Sequence, residues 1–220
     1  MSFLLRVTLP DRPGALGAVA TALGTVGADI LSVDVIERGA GCAVDDLVVE
    51  LPSGRLADSL VTAALGVDGV QVQSIRPYAG QIDPHRELAL LDSLAAKPHD
   101  SYQLLADGAP RVFRAGWAMV LSEPQDGSAA VLAGSAAAPE LSDLPAPWWP
   151  PTPTRVLAVG DWAPRSWANL GTELAVAPLG ADALLVGRPA LHWLPAELVR
   201  LTHLAAIASS VTADVRRGSD

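Results

Sequence analysis

An α+β fold in two small domains is the class this sequence predicts, on three observations. The chain has 220 residues, which fits two units of ordinary size better than one. Strand-like alternation and helix-like spacing follow in the order β-α-β-β-α-β over residues 3–77. After a break at residues 79–85 the pattern restarts with a helix, passes through short hairpins and closes on a long helix.

The first element alternates cleanly. Phe3, Leu5, Val7 and Leu9 share one face, and Leu4, Arg6 and Thr8 the other. Pro10-Asp11-Arg12-Pro13-Gly14 breaks that strand. Leu16, Val19, Ala20 and Leu23 then recur at helical spacing, so a helix is expected from Pro13 until Gly24 and Gly27. Asp29 to Arg38 and Cys42 to Leu51 read as a hairpin across the turn Arg38-Gly39-Ala40-Gly41. Leu56, Leu60, Ala63, Ala64 and Val67 predict a second amphipathic helix, ended by Gly69, and Val70 to Pro77 a fourth strand. This order specifies a ferredoxin-like sandwich: two helices on one face of a four-stranded antiparallel sheet.

Residues 79–85 read as a linker between domains at 1–78 and 86–220, with Asp83 placed to cap the next helix. That helix spans His85 to Ala95, and a shorter one is expected from Ser101 to Asp107. Trp117 to Ser122 and Ala129 to Gly134 read as strands, Pro139 to Pro153 as a proline-rich loop, and Arg155 to Val159 as a strand. Glu173 to Pro178 and Ala183 to Arg188 form a hairpin. Pro195 to Val215 forms a long helix with an apolar stripe at Leu198, Leu201, Leu204, Ala205 and Ala208.

Composition narrows the function. Half of the residues are hydrophobic and 18% are charged, which is globular and not disordered. A net charge of -9 repels phosphate backbones, so no nucleic-acid partner is expected. One cysteine, Cys42, excludes a disulfide within the chain. No apolar run is long enough to span a bilayer and the start lacks a leader pattern, so the expectation is a cytoplasmic protein without a membrane partner. Asp45 and Asp46 point to opposite faces of a strand and cannot jointly hold a metal; a solvated edge is the expected setting. His85, His99, His192 and His203 have no metal-ligand spacing, and no nucleophile elbow or phosphate-binding glycine loop occurs. No catalytic residue, metal or cofactor is expected.

Leu9-Pro10-Asp11-Arg12-Pro13-Gly14-Ala15-Leu16, followed by Gly27-Ala28-Asp29-Ile30, resembles the signature of bacterial ACT domains over about a third of the chain. The resemblance implies a free amino acid as effector, bound at the seam of a homodimer. In such domains the loop after the first strand offers backbone N–H groups, and the start of the second strand closes the site from a neighbouring subunit. The implied ligand-binding residues are Asp11, Arg12, Pro13, Gly14, Ala15, Leu16, Asp29 and Ile30. Many members carry Asn where this chain has Asp11 and Asp29, which changes the charge preference.

Physical chemistry is compatible with that use. A helix start suits a carboxylate, glycine admits a ligand to the backbone, and Asp11 and Asp29 each accept from an ammonium group. The same residues also have structural uses. Asp11 favours the helix dipole, Pro13 starts a helix, Gly14 eases a turn, and Asp29 follows a turn.

Residues 86–215 resemble a GAF domain more loosely, through Thr172 to Gly180, Ala183 to Arg188 and Leu194 to Leu201. The resemblance implies an α/β domain with a central antiparallel sheet. This half has no cysteine for covalent bilin attachment. Trp148, Trp149, Trp162 and Trp167 stand where such domains build a pocket lid, and read as plug or core ahead of a pocket wall. The leading expectation is a non-enzymatic amino-acid sensor acting on an unknown downstream partner. The alternatives are a ligand-free interaction module or regulatory subunit of a separate enzyme, and a small enzyme with its site in the Trp-rich loop.

Overall fold

The computed structural model describes residues 1–78 and 85–218, with side chains described to Val211. The expected linker and the Asp83 cap lie outside the described residues, apart from His85. The chain divides into two compact units, Met1–Asp83 and Pro84–Asp220.

In the amino-terminal unit β1 (Ser2–Pro10), α1 (Ala15–Thr25), β2 (Asp29–Gly39), β3 (Cys42–Glu50), α2 (Asp58–Leu65) and β4 (Gln71–Pro77) follow the expected order. The strands form one antiparallel sheet, β2-β3-β1-β4. Phe3, Leu5, Val7 and Leu9 pack with Val19 and Leu23 of α1 and Leu60 and Ala64 of α2. Both helices therefore cover the same sheet face. α1 starts at Ala15, two residues after Pro13, because Gly14 takes φ 86° and turns the chain before the helix forms. Leu56 precedes α2 and is exposed, and α2 stops at Leu65 with Gly66 as its cap, ahead of Gly69.

The opposite sheet face carries a polar row. Register sets Asp34, Asp46, Arg6 and Ser74 side by side across the four strands. Arg6 and Asp46 are fully buried and joined bidentately, Nε to Oδ1 at 2.7 Å and Nη2 to Oδ2 at 2.8 Å. The planar fork of arginine matches a carboxylate in this way.

The carboxy-terminal unit holds α3 (Arg86–Ala96), α4 (Ser101–Val112), β5 (Trp117–Leu121), β6 (Ser128–Gly134), β7 (Asp143–Pro145), β8 (Arg155–Leu157), α5 (Arg165–Asn169), β9 (Thr172–Leu179), β10 (Asp182–Pro189) and α6 (Pro195–Gly218). Its sheet is antiparallel with order β7-β6-β5-β10-β9-β8. One core joins the sheet to α3, α4 and α6, including Leu94, Leu105, Phe113, Leu184 and Leu201. A second, on the alternate strand residues, gathers Trp117, Met119, Leu121, Leu144, Trp167 and Leu185. β7 and α5 are too short to show a period, and they lie in segments read as loop. α4 runs five residues past its expected end at Asp107. Gly108 does not stop it: a Cβ there would stand 2.5 Å from Leu90 Cδ1, so the glycine lets α3 and α4 approach.

A buried arginine ties the end of β10 to the start of α6. The five N–H bonds of the Arg188 guanidinium reach Leu191 O, Phe113 O, His192 O and both Glu197 carboxylate oxygens. Glu197 Oε2 also accepts from the Leu194 amide at 2.9 Å, and the Trp193 ring lies 4.0 Å from the guanidinium carbon. Removing one partner of such a pair leaves a buried charge, so Glu197→Ala is expected to cost about 3–5 kcal/mol, read from the calorimetric transition of this unit. Gly187 faces Trp117, whose ring atoms would lie 2.3 Å from an added Cβ. Gly187→Ala should therefore lower the same transition by about 1–3 kcal/mol through overpacking.

Candidate functional site

The chain between β1 and α1 is pinned at its base and open at its tip. The Asp11 amide donates to Gly41 O, the Arg12 amide to Pro10 O and the Ala15 amide to Arg12 O. Gly69, at φ 79°, would press an added Cβ within 2.8 Å of the Pro10 ring, so it holds the loop base from the other side. Asp11, Arg12, Pro13 and Gly14 are themselves exposed, and no atom lies within 4 Å of the Cβ position of Gly14.

α1 begins with no side-chain cap and no acidic residue in its first turn. With the Ala15 amide taken by Arg12 O, the Leu16 and Gly17 amides and the positive end of the helix dipole are left for a ligand or solvent.

Two clefts flank the loop. The larger, about 390 Å³, is lined by residues including Asp11, Pro13, Gly14, Leu16, Arg38 and Asp45. It falls at the small end of the roughly 300–1,000 Å³ usual for ligand pockets. The smaller, about 230 Å³, shares Arg12, Pro13 and Gly14 and adds Ala15, Val67 and Asp68.

Charge in the larger cleft is uneven. Arg38 Nε lies 3.7 Å from Asp11 Oδ1, an exposed pair of small energetic weight. Asp45 is different. Alternation along β3 puts it on the helix-covered face with Ala43, Leu47 and Val49, between Val7 and Val35 in register. It is 2% exposed, and its Oδ1 is enclosed with no hydrogen-bond partner among the described residues. Burial pushes the Asp45 carboxyl above its ordinary pKa; Arg38 pulls the other way, and Asp46 and Asp11 add to the rise.

The solvated edge expected for Asp45 and Asp46 is thus corrected. Both are buried, on opposite faces, one paired with Arg6 and the other facing the cleft.

Of the eight residues singled out in the sequence, six belong to the walls of these clefts: Asp11, Arg12, Pro13, Gly14, Ala15 and Leu16. Asp29 and Ile30 line neither. Asp29 is exposed, and Ile30 packs against the core of the unit. Register pairs Asp29 with Glu50 and Glu50 with Ser2, whereas the loop leaves from Pro10 at the other end of β1. Eight residue steps separate those ends, roughly 26 Å at the usual strand rise. Within one chain the loop and the start of β2 do not form one site.

Residues 3–64 match the family model of the ACT domain. The match covers under a third of the chain. It takes in the loop, α1, β2, β3 and most of α2. Asp45 lies within the ACT match, yet it is absent from the loop signature by which the domain was read. The signal that could have found it is its parity: an aspartate in a row otherwise filled by Ala43, Leu47 and Val49.

A stretch of 83 residues is 35% identical to the cell division protein FtsA of Agrobacterium fabrum, covering 36% of this chain; the chain spans 19% of the length of that relative. Among solved structures, the phycoerythrobilin-bound GAF domain of a cyanobacterial phytochrome aligns with a TM-score of 0.47 at 15% identity, over 61% of this chain and 98% of that one. The blue-light-absorbing PixJ GAF domain of Thermosynechococcus elongatus aligns at 0.43 and 12%, over 63% and 94%.

In the carboxy-terminal unit the tryptophans interlock. Trp117 stands 4.8 Å from Trp167, Trp162 6.3 Å from Trp167 and Trp148 6.0 Å from Trp162, between ring centroids. Trp117 and Trp167 are buried, while Trp148, Trp149 and Trp162 are half-buried against the same cluster. The Arg155 guanidinium donates to the carbonyls of Trp148, Pro150 and Pro153 and so gathers the proline-rich loop. Among the described residues no group of three or more His, Cys, Asp or Glu is placed to hold a metal, and no helix is long and apolar enough to cross a membrane.

A raised carboxyl pKa in the folded chain means that the ionised form opposes folding. Stability linked to Asp45 is therefore full below its ordinary pKa and is lost as pH rises through the raised value. Asp45→Asn is expected to raise the melting temperature of the ligand-free amino-terminal unit at pH 7. That gain should shrink as the pH is lowered through the carboxyl range, read by calorimetry across pH.

Proposed function

We propose that this chain is a non-enzymatic, amino-acid-responsive regulatory protein whose effector binds beside the Asp11–Leu16 loop at the seam of a homodimer. One observation carries the reading: the uncapped start of α1 and carboxylate side chains line the same small cleft. A zwitterion needs an anion site and a cation site about one residue apart, and the cleft offers both. The ACT match supports the same ligand class. The span between the loop and Asp29 supports a paired arrangement, since only a second copy brings the start of β2 to the loop. β2 is an edge strand carrying exposed Val33 and Val35, which a second copy would cover. The Trp-filled face of the carboxy-terminal unit favours a role for that unit in relaying the response to a downstream protein over binding a second ligand.

Binding stabilises the form that binds by about 2.7 kcal/mol at a hundred times Kd. For a unit of this size that is roughly 10 °C or more in Tm. Calorimetry against the twenty amino acids should show one or a few that raise the amino-terminal transition by this order. Gly14→Val, which forces a side chain into φ 86° at the loop tip, should remove the shift. A flat response from all twenty would overturn the amino-acid reading.

A further inference from the structure

We propose that Asp45 is the cation-binding, specificity-determining residue of the loop cleft, and that it selects ligands carrying a compact ammonium group. The inference rests on the amino-acid reading above and assigns the ammonium subsite within it.

The two aspartates of β3 show why. Asp46 meets a guanidinium in two hydrogen bonds on its own sheet face. Asp45, one residue earlier, meets no such partner. Its inward row is otherwise apolar, its Oδ1 is enclosed without a hydrogen bond among the described residues, and it lines the cleft. The cation that acts on it, Arg38, has a side chain 65% exposed that lies beside Asp11. A buried carboxylate without a buried countercharge opposes folding. Such unfavourable placements concentrate at sites that a ligand completes. An ammonium supplies three donors in a compact volume and restores the missing charge. Gly14 lines the same cleft and opens α1, so a ligand with its ammonium at Asp45 directs its carboxylate toward the helix start. Acids with a hydroxyl in place of the ammonium lack the charge that Asp45 requires. Asp11 and Arg12 at the loop and Arg38 on β2 are the other charged groups lining the cleft.

The test is titration calorimetry on the full chain, wild type against Asp45→Asn, with circular dichroism to confirm that both fold. The probes are the twenty amino acids, with methylamine and ethanolamine as plain ammonium compounds and glycolate and L-lactate as hydroxy acids. At least one amino acid should bind the wild type, the hydroxy acids should not, and Asp45→Asn should weaken that binding about tenfold to a hundredfold, as loss of a charged hydrogen bond does. Amino-acid binding that survives Asp45→Asn unchanged would overturn the assignment of Asp45, with the carboxylate served by water alone, and leave the amino-acid reading standing. Hydroxy acids binding as well as their amino counterparts would also overturn it. Binding by none of the amino acids or amines would overturn both.

Discussion

The amino-terminal unit is organised by the parity of one strand. Because side chains alternate across β3, two adjacent carboxylates meet opposite environments. Asp46 falls on the face where Arg6 stands opposite it, and burial is offset by a bidentate pair. Asp45 falls on the helix-covered face, where the neighbours are Val7 and Val35. A one-residue slip of register would exchange those environments, setting Asp46 among the apolar neighbours and turning Leu47 and Val49 away from the helices. The fold and the chemistry of the cleft therefore rest on the same alignment of β1 with β3.

The loop between β1 and α1 shows how a site is positioned by residues that do not enter it. Pro10 ends the strand, Gly41 accepts from the Asp11 amide, and Gly69 closes on Pro10. Gly14 then supplies the left-handed step that lets α1 begin bare of a cap. None of this requires the side chains of Asp11 or Arg12, which stay exposed. A rigid base with free side chains above it is the usual build of a binding loop.

Much of this was legible in the sequence because it depends on local pattern. The six elements of the first unit follow from period-two and period-3.6 spacing broken by Pro and Gly. The loop was readable from Pro13, Gly14 and the glycines after α1. What escaped depends on contacts far apart in the chain. The helix expected to end at Asp107 runs on to Val112, because Gly108 is a close packing contact with Leu90. The pairs Arg6 with Asp46 and Arg188 with Glu197 are set by sheet register and by the turn from β10 into α6, which composition does not reveal. Asp45 was misread because its polarity was weighed ahead of its parity. β7 and α5, at three and five residues, are shorter than any period that could announce them.

The placement of the tryptophans gives the molecule a built-in optical asymmetry. All six, from Trp117 to Trp193, belong to the carboxy-terminal unit, and residues 1–78 contain none. Indole emission from the intact chain therefore originates wholly outside the ACT-matching residues. Any change in that emission when a small molecule occupies the loop cleft would be a signal that has crossed from one unit to the other.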